Sequence, residues 1–212
     1  MTRNKLWLID ENQDQLKTSA ALLHIILPEI QIMQRLPFPL MPDYIALMLN
    51  DSETACVMVD QKLKDTGIAL YFGIELAQYL RAIDQKLPIY ILTNYVDEKE
   101  QFEEGQWSVE DIIDKHQISD VNSDYVRTFK ARLLRRMDTY GDVLAERQRR
   151  FQELLRKSLT SELSSEDIQE LQELQGIRGA AIAANEAELL SRVENTLREY
   201  QEKLGRFGLV DE

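Results

Sequence analysis

Short apolar runs alternate with longer amphipathic stretches over the first 119 residues. The runs at 6–9, 30–33, 55–59, 87–92 and 109–113 have the length and β-branched content of buried strands. Between them, apolar residues recur at helical spacing over 13–27, 43–49, 73–83 and 97–104. Strand and helix in strict alternation predict an α/β fold, a parallel sheet covered by helices on both faces. Pro28, Pro37, Pro39, Pro42 and Pro88 all stand at the edges of these elements, where a missing N–H does no harm.

From Ser119 onward the texture changes. Proline and strand-like runs disappear, and Leu, Glu, Gln and Arg dominate, so this half is predicted to be helical. This divides the chain into a domain over 1–120 and a helical module over 121–212. One long helix is expected from about 122–124 to 159, carrying Leu133, Leu134, Met137, Leu144, Phe151, Leu154 and Leu155. Ser164-Ser165-Glu166-Asp167 reads as a second helix start, with an N-cap and acid in the first turn. Leu190, Val193, Leu197, Tyr200, Leu204 and Phe207, in steps of three and four, form a heptad seam. Between 127 and 157 ten Lys or Arg face four acids, a balance of +6; between 162 and 203 the count reverses to −6. Opposite charge predicts that these helices pair, as a hairpin within one chain or as a coiled coil in a homodimer.

The 212 residues allow one domain of ordinary size and an appendage, and exclude a large multidomain enzyme. With 44% hydrophobic residues a core can form, and a net charge of −12 makes nucleic acid and anionic lipid unlikely ligands. No apolar run approaches membrane-span length and no signal peptide opens the chain, so a soluble, cytoplasmic protein is expected. Cys56 has no disulfide partner, and with His24 and His116 far from it no zinc pattern exists. The rigid apolar loop 37–42 is expected to pack on its own domain, with a partner-docking knob as the alternative.

In an open parallel sheet ligands bind beyond the carboxyl ends of the strands. Four of the five predicted strands end in chemistry: Asp10 and Glu11, then Asp60, Thr93 and Lys115. Phosphorylation of a carboxylate needs such a set. Clustered acids repel one another unless a cation joins them, and Mg²⁺ on Glu11, Asp60, the backbone carbonyl of Lys62 and, through water, Asp10 would do so. Asp60 is then the candidate nucleophile, Lys115 a fixed positive charge for phosphoryl oxygens, and Thr93 a short hydroxyl donor.

With these residues in place, the segment 4–119 resembles the receiver domain of two-component response regulators. The acid pair after the first strand, Val57-Met58-Val59-Asp60, Ile89 to Thr93, Lys115 and Gly73-Ile74-Glu75-Leu76-Ala77 carry the resemblance. It implies a flavodoxin-like, doubly wound, five-stranded sheet in the order 2-1-3-4-5, Mg²⁺ dependence, and transfer of a phosphoryl group to Asp60 from a histidine kinase or phosphotransfer protein. The sequence departs from the family at His116, where proline usually follows the lysine, at Ile112, where many members carry an aromatic, at Asn94 after the threonine, and in a longer 61–72 loop. The expectation is a signalling protein, not an enzyme, that passes the change through its C-terminal helices to a downstream protein effector; the alternative is a receiver-like scaffold that takes no phosphate.

Overall fold

A computed structural model describes residues 4–49, 51, 53–94, 96, 102, 105–176 and 179. Strand and helix alternate as β1 (Lys5–Ile9), α1 (Gln13–Ile26), β2 (Gln31–Arg35), α2 (Pro42–Tyr44, widening into a π-helical stretch Ile45–Leu49), β3 (Thr54–Val59), α3 (Gly73–Ile83), β4 (Ile89–Thr93), a 3₁₀ turn at Gln106–Ser108, β5 (Asp111–Asp114) and α4 (Asp124–Thr160). A further helix, α5, covers 165–176. The predicted helix at 97–104, apart from residue 102, and the heptad seam at 190–207 lie outside the described residues.

The five strands form one parallel sheet in the order β2-β1-β3-β4-β5, the flavodoxin-like arrangement. Alternation along β1 sends Leu6 and Leu8 into one core and Trp7 and Ile9 into the other. The first core is closed by Leu16, Ala20, Leu23 and Ile26 of α1; the second by Tyr44, Leu76, Ala77 and Leu80 of α2 and α3. Asn12 starts α1 by accepting from the backbone N–H groups of Asp14 and Gln15 at 3.0 and 3.1 Å. Strand β5 begins two residues later than its apolar run predicts, because the 3₁₀ turn ends at Ser108 and the Glu110 N–H bonds Ile89 O at 2.7 Å.

The loop 37–42 packs on its own domain. Tyr71 donates to Phe38 O at 2.5 Å and lies 3.1 Å from the Tyr44 hydroxyl, while Phe38 meets the Tyr44 ring edge-on at 4.9 Å.

Helix α4 begins at Asp124, just past the division drawn at residue 120, and packs on the sheet. Its first turns bury Val126, Phe129, Leu133 and Met137 in the first core, with Phe129 edge-on to Tyr90. Tyr140 then enters the second core, so α4 touches the apolar groups of both sheet faces. There Tyr140 and Arg147 donate to the buried carboxylate of Asp84 at 2.8 and 3.1 Å. At about 1.5 Å per residue the helix is about 55 Å long, and beyond Tyr140 only Leu154 is buried. That end folds against α5 within the same chain. Ser164 caps α5 by accepting from the Asp167 N–H, Arg150 makes a forked pair with Glu170 at 3.0 and 2.7 Å, and Lys157 bonds Asp167. The predicted pairing of basic with acidic helix is therefore intramolecular over these residues. No helix among the described residues is long and apolar enough to cross a membrane.

Because Leu133 is fully buried against the sheet, Leu133→Ala should lower unfolding stability by about 2–5 kcal/mol in urea titration. A change below about 1 kcal/mol would mean that α4 is not integral to the domain.

Candidate functional site

Parallel strands present their carboxyl ends on one edge of the sheet, so the residues that follow β1, β3 and β5 become neighbours although they lie 50 and 55 positions apart. Asp60 is fixed by its own N–H, which bonds Ile9 O at 2.8 Å, and Lys115 by its N–H to Thr93 O at 3.0 Å. From that anchor the Lys115 ammonium reaches Asp60 Oδ1 at 2.6 Å and Asp10 Oδ2 at 2.7 Å. All three side chains are at most 10% exposed, so the bonds are charge-assisted and poorly screened. The other oxygens are also engaged: Lys62 N–H donates to Asp60 Oδ2 at 2.6 Å and Asn12 N–H to Asp10 Oδ1 at 2.9 Å. Thr93 is fully buried at the end of β4, between the strands that carry Asp60 and Lys115.

Asp10, Glu11 and Asp60 were expected to gather around one cation. Among the described residues no group of three or more His, Cys, Asp or Glu is spaced to hold a metal ion. The ammonium of Lys115 lies between Asp10 and Asp60 and neutralises one of their two charges. Glu11 is outside this exchange. Its Oε2 is buried with no hydrogen-bond partner, and burial, followed by the charges of Asp60 and Asp10, raises its carboxyl to about 7. An orphaned carboxylate oxygen beside two acids fits a missing cationic partner. Burial also raises Asp60, against the opposing pull of Lys115. For Lys115 burial acts against the charge, and the two carboxylates outweigh it, so the ammonium is held more firmly than usual.

Two further residues shape the Asp60 loop: Gln61, which the sequence did not single out, and Gly73, which it offered only as part of a motif. Gln61 is fully buried, and its carbonyl and amide oxygens accept from the N–H groups of Gly73 and Ile74 at 2.9 and 3.1 Å, tying the start of α3 to the residue after Asp60. Gly73 leaves no room for a side chain: a Cβ there would stand 2.1 Å from Asp60 O. A polar residue directly after a strand-end acid and a glycine opening a helix were the visible signals. The long 61–72 loop turns at Gly67, whose φ of 71° suits glycine. Gln15 is a second missed residue, an exposed side chain on α1 whose Oε1 accepts from Lys115 at 3.0 Å.

Two outcomes follow from this geometry. An acid whose carboxyl is raised in the folded state makes unfolding easier as pH climbs from about 4.5 to 7, since the unfolded chain releases that proton first. In metal-free buffer Glu11→Gln should therefore be more stable than wild type above pH 7 by about 1–2 kcal/mol after solvent screening, and equal to it near pH 4, by thermal unfolding across pH. Gly73→Ala must push the new Cβ against Asp60 O, and should cost about 1–3 kcal/mol in a denaturant titration.

No protein-family model matches this sequence, and no curated protein does. Solved structures that resemble the chain include receiver domains of response regulators. A CheY-like receiver domain protein from Methanospirillum hungatei JF-1 is 14% identical, covering 66% of this chain and 97% of its own, with a TM-score of 0.47. The receiver domain of a putative Luxo repressor from Vibrio parahaemolyticus is 19% identical over 66% and 97%, with a TM-score of 0.46. The response regulator TrrA from Thermotoga maritima, solved with Mg²⁺ and beryllium fluoride, is 14% identical over 61% and 98%, with a TM-score of 0.43.

Proposed function

We propose that this chain is a phosphoryl-accepting signalling protein in which Asp60 takes the group from a histidine kinase or phosphotransfer protein. One observation carries the reading: a buried lysine ammonium held between two strand-end carboxylates, 2.6 Å from one and 2.7 Å from the other. A carboxylate oxygen of Asp60 attacks phosphorus, the O–P bond forms as the donor's N–P bond breaks, and the donor imidazole keeps the electron pair and takes a proton from water. Both Asp60 oxygens are hydrogen-bonded before the reaction, and each keeps a second lone pair with which to attack. Lys115 is the donor that can follow the charge onto the phosphoryl oxygens, with the Thr93 hydroxyl as its neighbour. Glu11 and Asp60, with Asp10 and the Lys62 carbonyl, would hold Mg²⁺, which when bound supplies charge neutralisation for the incoming group.

Transmission to the helices is supported by α3. Its first residue abuts Asp60 O, and the residue after its last, Asp84, binds Tyr140 and Arg147 of α4. Glu110 adds a second tie, pairing with Arg81 of α3 at 3.3 Å and Arg136 of α4 at 2.9 Å. A shift at the Asp60 loop thus has a packed route to α4 and the hairpin, where a downstream protein effector would read it. Exposed Leu155, Leu159 and Ile168 on the hairpin support pairing with a second copy of the chain. The protein turns over no substrate of its own in this reading, and its place of action is the cytoplasm.

The saturated ion cluster favours a second reading, a scaffold in which Asp10, Asp60 and Lys115 serve stability alone. Acetyl phosphate with Mg²⁺ separates the two. Intact mass should show one phosphoryl group added to wild type and none to Asp60→Asn; a folded wild-type chain that gains nothing beside a competent receiver leaves only the scaffold.

A further inference from the structure

We infer that Gln15 is the positioning residue that holds the Lys115 ammonium in register for phosphoryl transfer. A lysine ammonium has three N–H donors and no acceptor. All three are matched here: Asp60 Oδ1 at 2.6 Å, Asp10 Oδ2 at 2.7 Å and Gln15 Oε1 at 3.0 Å. The two carboxylates face inward from the strand ends, and Gln15 reaches over from the first turn of α1. Its oxygen lies 3.5 Å from the Asn94 amide nitrogen, so the segments after β4 and β5 both meet it.

Gln15 is itself fixed. Its backbone N–H donates to the Asn12 cap at 3.1 Å, and the Asn12 N–H donates to Asp10 Oδ1 at 2.9 Å. Lys115 closes the circuit by donating to both Gln15 and Asp10. The ring Asp10, Asn12, Gln15, Lys115 makes the position of the ammonium depend on the start of α1, and the start of α1 depend on the same carboxylate that the ammonium binds. A neutral amide suits the third place. A single positive charge already answers two carboxylates, and an uncharged acceptor completes its hydrogen bonding without adding repulsion.

The role in transfer rests on the reading of Asp60 as the acceptor. When a phosphoryl oxygen replaces Asp60 Oδ1 as the Lys115 partner, Asp10 and Gln15 still hold the other two N–H groups. The ammonium then turns toward the new charge without swinging into solvent. Gln15 touches neither the phosphoryl group nor Asp60 and acts only through Lys115. The sequence offers no hint of it, since an exposed glutamine in a first helical turn is ordinary.

The test uses the 212-residue chain labelled with ¹⁵N. In cold, metal-free buffer the Lys115 ammonium should give an observable ¹H–¹⁵N signal, because its protons are bonded and exchange slowly with water. In Gln15→Leu that exchange should quicken about tenfold or more, the size expected for one lost charge-assisted hydrogen bond. Gln15→Glu, which keeps an acceptor, should restore the protection. Thermal unfolding of Gln15→Leu should stay near wild type, since the side chain is exposed. With acetyl phosphate and Mg²⁺, the initial rate of phosphoryl gain should fall about tenfold in Gln15→Leu. Unchanged ammonium exchange in Gln15→Leu overturns the inference, as does faster exchange with an unaltered transfer rate. If wild type itself gains no phosphoryl group, the reading of Asp60 fails, and the exchange measurement still decides whether Gln15 holds Lys115.

Discussion

The buried ion cluster of Lys115 with Asp10 and Asp60 constrains the rest of the domain. In the order β2-β1-β3-β4-β5, Lys115 follows the edge strand, Asp60 the strand two places inward and Asp10 the strand beyond that. Neighbouring strands are about 4.8 Å apart, so the lysine must cross the end of β4 to reach about 10 Å or more. A long, straight side chain anchored by its N–H to Thr93 O spans that gap; a short one cannot. Removing Lys115 leaves two carboxylates without a cation in a place poor in water, which costs more than the pair contributes. The arrangement therefore fixes which residues can stand at three strand ends, and it explains why the end of β4 carries a residue as small as threonine.

The second organising element is α4. Helix α4 shares with α1 the covering of one sheet face, through Val126, Phe129, Leu133 and Met137. The same helix continues to Tyr140, which leaves the first core for the second and is held there by Asp84. A buried carboxylate is tolerated at Asp84 because a hydroxyl, a guanidinium and the Lys86 N–H at 3.0 Å all donate to it. Domain and appendage are thus one continuous rod over 37 residues, and charge pairing between Arg150, Lys157, Asp167 and Glu170 turns the far end back on itself.

The strands were legible because runs such as 55–59 are apolar at every position, as a strand covered on both faces must be. The strand-end residues were legible for the same reason, since polarity returns abruptly at Asp10, Asp60 and Lys115. The lysine bridge between the acids was not. Sequence gives the residues but not the distances that set the Lys115 ammonium between Asp10 and Asp60. The reach of α4 across both cores was also hidden, because Tyr140 continues the helical period of Met137 and only the tertiary path places it on the other face. Gly73 was noticed as part of a motif, whereas its cause, the Asp60 carbonyl 2.1 Å from an absent Cβ, is a fact of packing.

The closed state of the cluster bears on what a phosphoryl group at Asp60 would have to accomplish. Moving a two-state population from 1:99 to 99:1 takes about 5.5 kcal/mol of differential interaction. A phosphoryl group brings added negative charge and three strong acceptor oxygens into a pocket whose lysine has no unused N–H. The gain cannot come from Lys115 alone, because its new bond is made at the expense of an old one. It has to draw also on the Lys62 N–H, which now donates to Asp60 Oδ2, and on the Thr93 hydroxyl at the neighbouring strand end. Recruiting the Lys62 N–H draws on the 61–72 loop, and that loop cannot move freely: Gln61 is bonded to Gly73 and Ile74, and Gly73 has no slack against Asp60. The stiffness that makes the resting cluster well ordered is the same stiffness that would force α3, and with it Asp84 and α4, to answer any rearrangement at the acceptor.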